Sequence, residues 1–116
     1  MFNFEKLEVW QKAIVYAGQV YRCSRGFPKE EQFGLTNQIR RAGNSIASNI
    51  AEGSARPPAD FAWFLGYATG SVYEVVTQAT IARNEGFLEA AASQQLYTDA
   101  DEISPMLSGL RRSLGE

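Results

Sequence analysis

Apolar residues recur along this chain at alternating intervals of three and four, the spacing of one face of an α-helix. Four segments show this pattern, at about residues 5–24, 35–52, 58–85 and 89–114. Their apolar stripes are Leu7, Trp10, Ile14, Ala17 and Tyr21; Leu35, Ile39, Ala42, Ile46 and Ile50; Phe61, Leu65, Ala68, Val72, Val75, Ala79 and Ala82; and Leu96, Ala100, Ile103, Leu107, Leu110 and Leu114. No stretch alternates apolar and polar residues as a half-buried strand does. The pattern therefore predicts an all-α protein.

Glycine and proline mark the ends of these segments. Gly53 follows the second segment, where a left-handed C-terminal cap is expected, and Gly86 closes the third. Pro58 suits a first helical turn, whereas Pro105 falls inside the fourth segment, on the side opposite its stripe. Because the connections are short, neighbouring helices should run antiparallel. The prediction is one domain, residues 1–116, folded as an up-down antiparallel four-helix bundle.

The first and third segments carry a second stripe beside the first. One stripe per helix is enough for a monomeric bundle, and a large aromatic surface on a small domain usually has a partner. We therefore expect this second stripe to form an oligomer interface, although it could instead widen the intramolecular core. The expected interface residues are Val9, Ala13, Tyr16, Val20, Trp63, Phe64 and Tyr67.

Polar residues also align, along one flank of the second and third segments. They are Gln38, Ser45, Asn49, Glu52, Ser71 and Glu74, with Arg56 just beyond. They could form a substrate site, but a polar network that fixes the register of two helices is the favoured interpretation, since buried polar groups must be paired. For Glu52 and Arg56, a salt bridge that shapes the turn is expected.

Charge is distributed unevenly although the net charge is only −2. Residues 1–58 hold eight Lys/Arg and five Asp/Glu, whereas residues 59–116 hold three Lys/Arg and eight Asp/Glu. The two halves could attract each other, or the first could present a basic surface to an acidic partner. The candidate nucleic-acid contacts are Lys12, Lys29, Arg40 and Arg41.

The residues that most metal sites and catalytic triads need are missing. The chain has no histidine and a single cysteine, Cys23, which argues against di-iron, zinc and serine-triad chemistry and against an intramolecular disulfide. Phosphate-binding glycine loops are missing too. No apolar run approaches the roughly 20 residues that span a bilayer. We expect a cytoplasmic protein that is not an enzyme and has no cofactor, no metal and no membrane partner.

Several local strings are familiar in this order and spacing. They are LEVWQKA at 7–13, FP at 27–28, QIRRA at 38–42, SNIAEG at 48–53 and GS at 70–71. Together they resemble the four-helix-bundle family of proteins encoded in intervening sequences of 23S rRNA genes, over nearly the whole chain. That resemblance implies a ring-shaped homopentamer whose molecular function is undetermined. A related group, the accessory proteins of diversity-generating retroelements, has basic surfaces that engage nucleic acid, whereas this chain is net acidic.

Two interpretations of the function therefore remain open. The first is a non-enzymatic homo-oligomer, pentameric by the resemblance, that acts as a scaffold or interaction protein. The second is a nucleic-acid-binding accessory protein that uses a basic face of the first two helices. In both cases, the predicted partner of the chain is another copy of itself.

Overall fold

The computed structural model describes residues 1–115, which form helices and contain no strand. The four α-helices are α1 (Glu8–Ser24), α2 (Leu35–Ser54), α3 (Pro58–Asn84) and α4 (Ala90–Ser113), and two short 3-10 helices span Asn3–Lys6 and Lys29–Glu31. Each α-helix begins and ends within three residues of its predicted limits. The all-α prediction is confirmed.

The helices form an up-down bundle that measures 43 × 22 × 22 Å. Each helix packs against the next in the chain, and α4 packs back against α1, so the order around the bundle follows the sequence. The pair α2 and α3 is the most extensively packed, and the pair α1 and α4 the least. This arrangement follows from short connections, which leave consecutive helices side by side and antiparallel.

The core is built from the predicted stripes of α2, α3 and α4. All members of the α2 and α3 stripes are buried, and so are four members of the α4 stripe: Leu96, Ala100, Ile103 and Leu107. Pro105 lies inside α4 on its exposed face, and the helix continues through it to Ser113. The ring of Pro105 therefore meets solvent rather than the core, as the pattern predicted.

The two stripes of α1 are assigned the wrong way round by the sequence. Val9, Ala13, Tyr16 and Val20 are at most 4% exposed and pack in the core of the single chain. They therefore cannot be an interface between copies in this fold, and that part of the prediction is corrected. The stripe of larger residues, such as Ile14 and Tyr21, points outward beside α2. Both stripes have the same spacing, so periodicity could not separate them.

Gly53 is not the predicted left-handed cap. It is buried inside α2, where a Cβ would stand 2.9 Å from the ring of Phe61 and closer still to Phe64. The residue is small because α3 passes directly against it. Gly86 does end α3 with a φ of +80°, a conformation that favours glycine, as predicted.

The seam between α1 and α4 closes the bundle with two polar contacts. The Lys12 Nζ lies 3.0 Å from the Glu102 Oε1, which is the one ion pair among residues 1–115. Deeper in the seam, the Tyr16 hydroxyl donates to the Leu96 carbonyl oxygen at 3.0 Å. Burial raises the pKa of the Tyr16 phenol above its ordinary value. Both contacts link the first helix to the last.

Candidate interaction surfaces

An aromatic cluster lies on the outside of the first half of α3. Trp63 is 66% exposed and Tyr67 57% exposed, and their ring centroids are 6.1 Å apart. Phe64 lies beside them, with its ring edge toward Tyr67 and the Arg56 guanidinium 5.2 Å from its centroid. Three of the seven predicted interface residues therefore lie together on the outside of α3, with Trp63 and Tyr67 exposed and Phe64 half-buried.

An apolar groove runs between α1 and α2 with a volume of about 470 Å³. Its lining includes Phe4, Trp10, Ile14, Ala17, Ala47 and Ala51. The ring of Phe4 meets Trp10 edge-on at 5.2 Å and stacks on Phe2 at 5.6 Å, so the N-terminal segment forms one wall. The larger residues of this groove were predicted to be core. It was not predicted as a surface because the α1 stripes were reversed.

The predicted polar network is only partly formed. The Ser71 hydroxyl bonds to the Ser45 hydroxyl across α2 and α3. Since the Ser45 hydroxyl gives its one proton to the Ala42 carbonyl, Ser71 is the donor. The Asn49 amide instead donates to the Ser45 carbonyl within its own helix. Among the described residues, the hydrogen-bonded side-chain link between α2 and α3 is thus this one pair of hydroxyls.

The other predicted members of the network are on the surface. Gln38 and Glu74 are exposed and line an open groove of about 420 Å³ between α2 and α3, together with Arg41 and Gln78. The Gln78 Oε1 is buried in the groove and has no hydrogen-bond partner among residues 1–115. The prediction of a buried network is therefore corrected for these residues, since their side chains extend past the Ser45–Ser71 contact toward solvent.

The expected salt bridge between Glu52 and Arg56 is not formed. Both residues are exposed, and the Arg56 guanidinium lies over the Phe64 ring instead. Because α2 continues to Ser54, Arg56 is carried toward α3 rather than back toward Glu52. The cation therefore belongs to the aromatic cluster.

The four candidate nucleic-acid contacts have different surroundings. Arg40 is half-buried and ties α2 to the end of α1: its Nε donates to the Ser24 hydroxyl at 2.8 Å, and its guanidinium lies 4.8 Å from the Tyr21 ring centroid. Lys12 is paired with Glu102, which raises the pKa of its ammonium group. Only Arg41 and Lys29 are fully on the surface. The four residues do not form one basic face.

A further groove, between α3 and α4, was not predicted. Tyr73 and Tyr97 are more than half exposed on its rim, and its volume is about 440 Å³. Tyr73 directly follows the core residue Val72, and Tyr97 directly follows Leu96. A position one residue after a core position is turned away from the core, and this could have predicted that both tyrosines are exposed.

The described part of the chain offers neither a metal centre nor a membrane-spanning helix. Residues 1–115 contain no group of three or more His, Cys, Asp or Glu residues placed to hold a metal ion. Within the same residues, no helix is long and apolar enough to cross a bilayer. Burial raises the pKa of the half-buried Cys23 thiol, which disfavours the reactive thiolate.

The family model described as 23S rRNA-intervening sequence protein matches residues 5–109. The chain belongs to this family. A similar fold occurs in the crystal structure of a protein of unknown function from the S23 ribosomal protein family of Bacteroides thetaiotaomicron, with a TM-score of 0.81 and 22% identity over 89% of this chain and 97% of that one. Comparison with curated proteins gives no match.

Proposed function

We propose that this member of the 23S rRNA-intervening sequence family is a non-enzymatic homo-oligomer, a ring of five copies, that serves as a scaffold or interaction protein. The exposed aromatic cluster of Trp63, Phe64 and Tyr67 carries the proposal. Large aromatic side chains on a rigid helix often dominate the binding energy of an interface, because they bury much apolar area at little cost in side-chain entropy.

The distribution of the remaining surface supports the same proposal. The apolar groove beside α1 provides a second exposed surface on the same small chain. Carboxylates line two grooves: Glu8, Asp99 and Glu102 lie with Lys12 between α1 and α4, and Glu74 lies between α2 and α3. Surfaces of this extent suit contact with another folded protein better than they suit a small substrate.

The proposal is tested by light scattering on variants of the aromatic cluster. The double variant Trp63→Ser, Tyr67→Ser should dissociate toward the monomer, because it removes the two most exposed rings of the cluster. Phe33→Ser is the matched control, since Phe33 is 88% exposed but lies just before α2, at the other end of the bundle. Equal masses for wild type and the double variant would reject the cluster as an interface.

The alternative function is binding of structured RNA or DNA through exposed basic residues. Arg41 and Lys29 favour it because both extend from the surface of the first half of the chain. Such binding should be sequence-tolerant and should weaken steeply with salt, since phosphate contacts release counterions.

A polarisation assay with a structured RNA at low and moderate salt tests this alternative. Lys29→Glu with Arg41→Glu should abolish binding, and Arg112→Glu, an exposed reversal at the other end of the bundle, should leave most of it. Arg40 is left unchanged because its substitution would remove contacts with α1, and a loss of stability could then be mistaken for a loss of binding. No binding by wild type at low salt would remove this alternative.

A further inference from the structure

The exposed side of α3 carries a line of four residues that we name the outer stripe: Trp63, Tyr67, Gly70 and Glu74. They follow one another at intervals of four, three and four, and all are exposed. The stripe faces the same side of the bundle as the α2–α3 groove, since Glu74 lines that groove with Gln38 and Arg41 of α2. It combines a protruding aromatic end with an acidic end.

The α1–α2 groove opens on the adjacent side of the bundle, because α2 forms one wall of both grooves. Two different surfaces on adjacent sides of the bundle are the arrangement that a small closed ring needs. In a head-to-tail ring, the two interface directions differ by about 90° for four copies and about 108° for five, whereas opposite faces give an open filament. The positions of the stripe and the groove therefore fit a small ring.

The groove has the shape to receive aromatic rings. Ala17, Ala47 and Ala51 contribute only methyl groups to its surface, which leaves room between the two helices. At one end stands Trp10, whose ring already meets Phe4 edge-on and can pack against further rings. The α1–α2 groove therefore offers the side chains of Trp63 and Tyr67 an apolar surface with an aromatic wall.

Charges match along the length of the two surfaces when neighbouring copies stand parallel at the same height. Contacts set the heights: Ser71 meets Ser45, and Glu74 lies beside Arg41 and Ala42. Glu74 of one copy therefore comes level with Arg40 of the next. At the opposite end, where α1 and α3 both begin, Asp60 lies in the first turn of α3 and Lys6 lies just before α1. In this alignment Glu74 and Asp60 would each come level with a basic residue, which would favour one register and one orientation.

We propose that copies of this chain join head to tail, with Trp63 and Tyr67 of one copy seated in the α1–α2 groove of the next. This arrangement rests on the proposed homo-oligomer and adds which surfaces meet. It assigns a use to the reversed stripe of α1, whose exposed members Ile14 and Tyr21 would otherwise face water.

The α3–α4 groove is an alternative binding site for Trp63 and Tyr67 of a neighbouring copy. Its rim is occupied by its own Tyr73 and Tyr97, and it carries the carboxylate of Asp101. An acidic stripe end such as Glu74 is repelled by a further carboxylate, so the pairing with the α1–α2 groove is preferred.

Disulfide trapping distinguishes the two binding sites. In a Cys23→Ser background, Gly70→Cys places a thiol on the outer stripe, and Ser48→Cys places one beside the α1–α2 groove. The two proteins are unfolded, mixed, refolded and oxidised, and then separated on a denaturing gel. We expect disulfide-linked dimers from this mixture and none from Gly70→Cys alone. The control mixture of Gly70→Cys with Ser104→Cys, in the α3–α4 groove, should give none.

Light scattering on the same samples separates this arrangement from the proposed function. Oligomers without Gly70–Ser48 dimers would overturn the head-to-tail arrangement and leave the oligomer in place. Dimers from Gly70→Cys alone would show a twofold contact between stripes and overturn it too. Disulfide-linked dimers of Gly70→Cys with Ser104→Cys would show that Trp63 and Tyr67 bind in the α3–α4 groove, and would overturn the proposed arrangement. A monomer in every sample would overturn the proposed function itself.

Discussion

Gly53 of α2 lies directly against Phe64 of α3: a Cβ on Gly53 would stand only 2.5 Å from the Phe64 Cβ. The two helices are most extensively packed with one another, and this contact sets their separation at the end that carries the aromatic cluster. The glycine therefore positions Phe64, and with it Trp63 and Tyr67.

Gly53→Ala should destabilise the protein by about 1–3 kcal/mol, because the new methyl group forces α2 and α3 apart. Gly109→Ala is the matched control: its Cβ would meet only the flexible Arg112 side chain at 3.9 Å, and alanine stabilises a helix interior by about 0.5–1 kcal/mol. Urea unfolding at one protein concentration measures both. Equal effects of the two substitutions would argue against the close approach.

Arg40 and Arg41 are neighbours with opposite roles, one structural and one on the surface. Arg40→Met should cost about 1–3 kcal/mol, because it removes the bonds to Ser24 and Tyr21 and the contact with the Tyr21 ring. Arg41→Met should change the free energy of unfolding by less than about 0.5 kcal/mol. Chemical denaturation of both variants checks this. A larger loss for Arg41→Met would contradict the assignment of roles.

Tyr16 should make the protein lose stability at alkaline pH. Burial raises the pKa of its phenol in the folded chain, whereas in the unfolded chain it ionises at about pH 10. Above that pH the unfolded state holds fewer protons than the folded state, so the free energy of unfolding falls by up to about 1.4 kcal/mol per pH unit. Below it, this contribution is fully present.

Denaturant unfolding between neutral and alkaline pH tests this linkage. Tyr16→Phe should lower the stability at neutral pH, because the bond to the Leu96 carbonyl is lost, and should flatten the alkaline decline. Tyr97→Phe, an exposed tyrosine on α4, is the control and should keep the wild-type slope. An unchanged slope in Tyr16→Phe would show that other groups cause the decline.

The sequence predicts the bundle well because burial repeats with the helical period. The α2 stripe through Ile39 and Ile46 is the only apolar face of its helix, so it had to be core. On α1 two stripes have the same spacing, yet Ile14 and Tyr21 of one stripe are exposed whereas Ala13 and Val20 of the other are buried. Which stripe is buried depends on the space left by the other three helices, which spacing does not encode.

The surfaces were less predictable for a similar reason. Ser45 and Ser71 were placed on facing flanks and do meet. Glu74 shares the same flank but extends to solvent, since a long side chain on a helix edge can leave the interface that its backbone borders. Gly53 was predicted to be a cap, because its close contact with Phe64 depends on the position of α3, which the spacing of apolar residues does not encode.

The mass of the wild-type protein at micromolar concentration tests the central claim most directly. Sedimentation equilibrium should give a single species of about 64 kDa, five times the 12.8 kDa chain, if the proposed pentamer buries the exposed aromatic side chains between copies. A particle of 12.8 kDa that persists as the concentration is raised would contradict the proposal that this protein works as an oligomer.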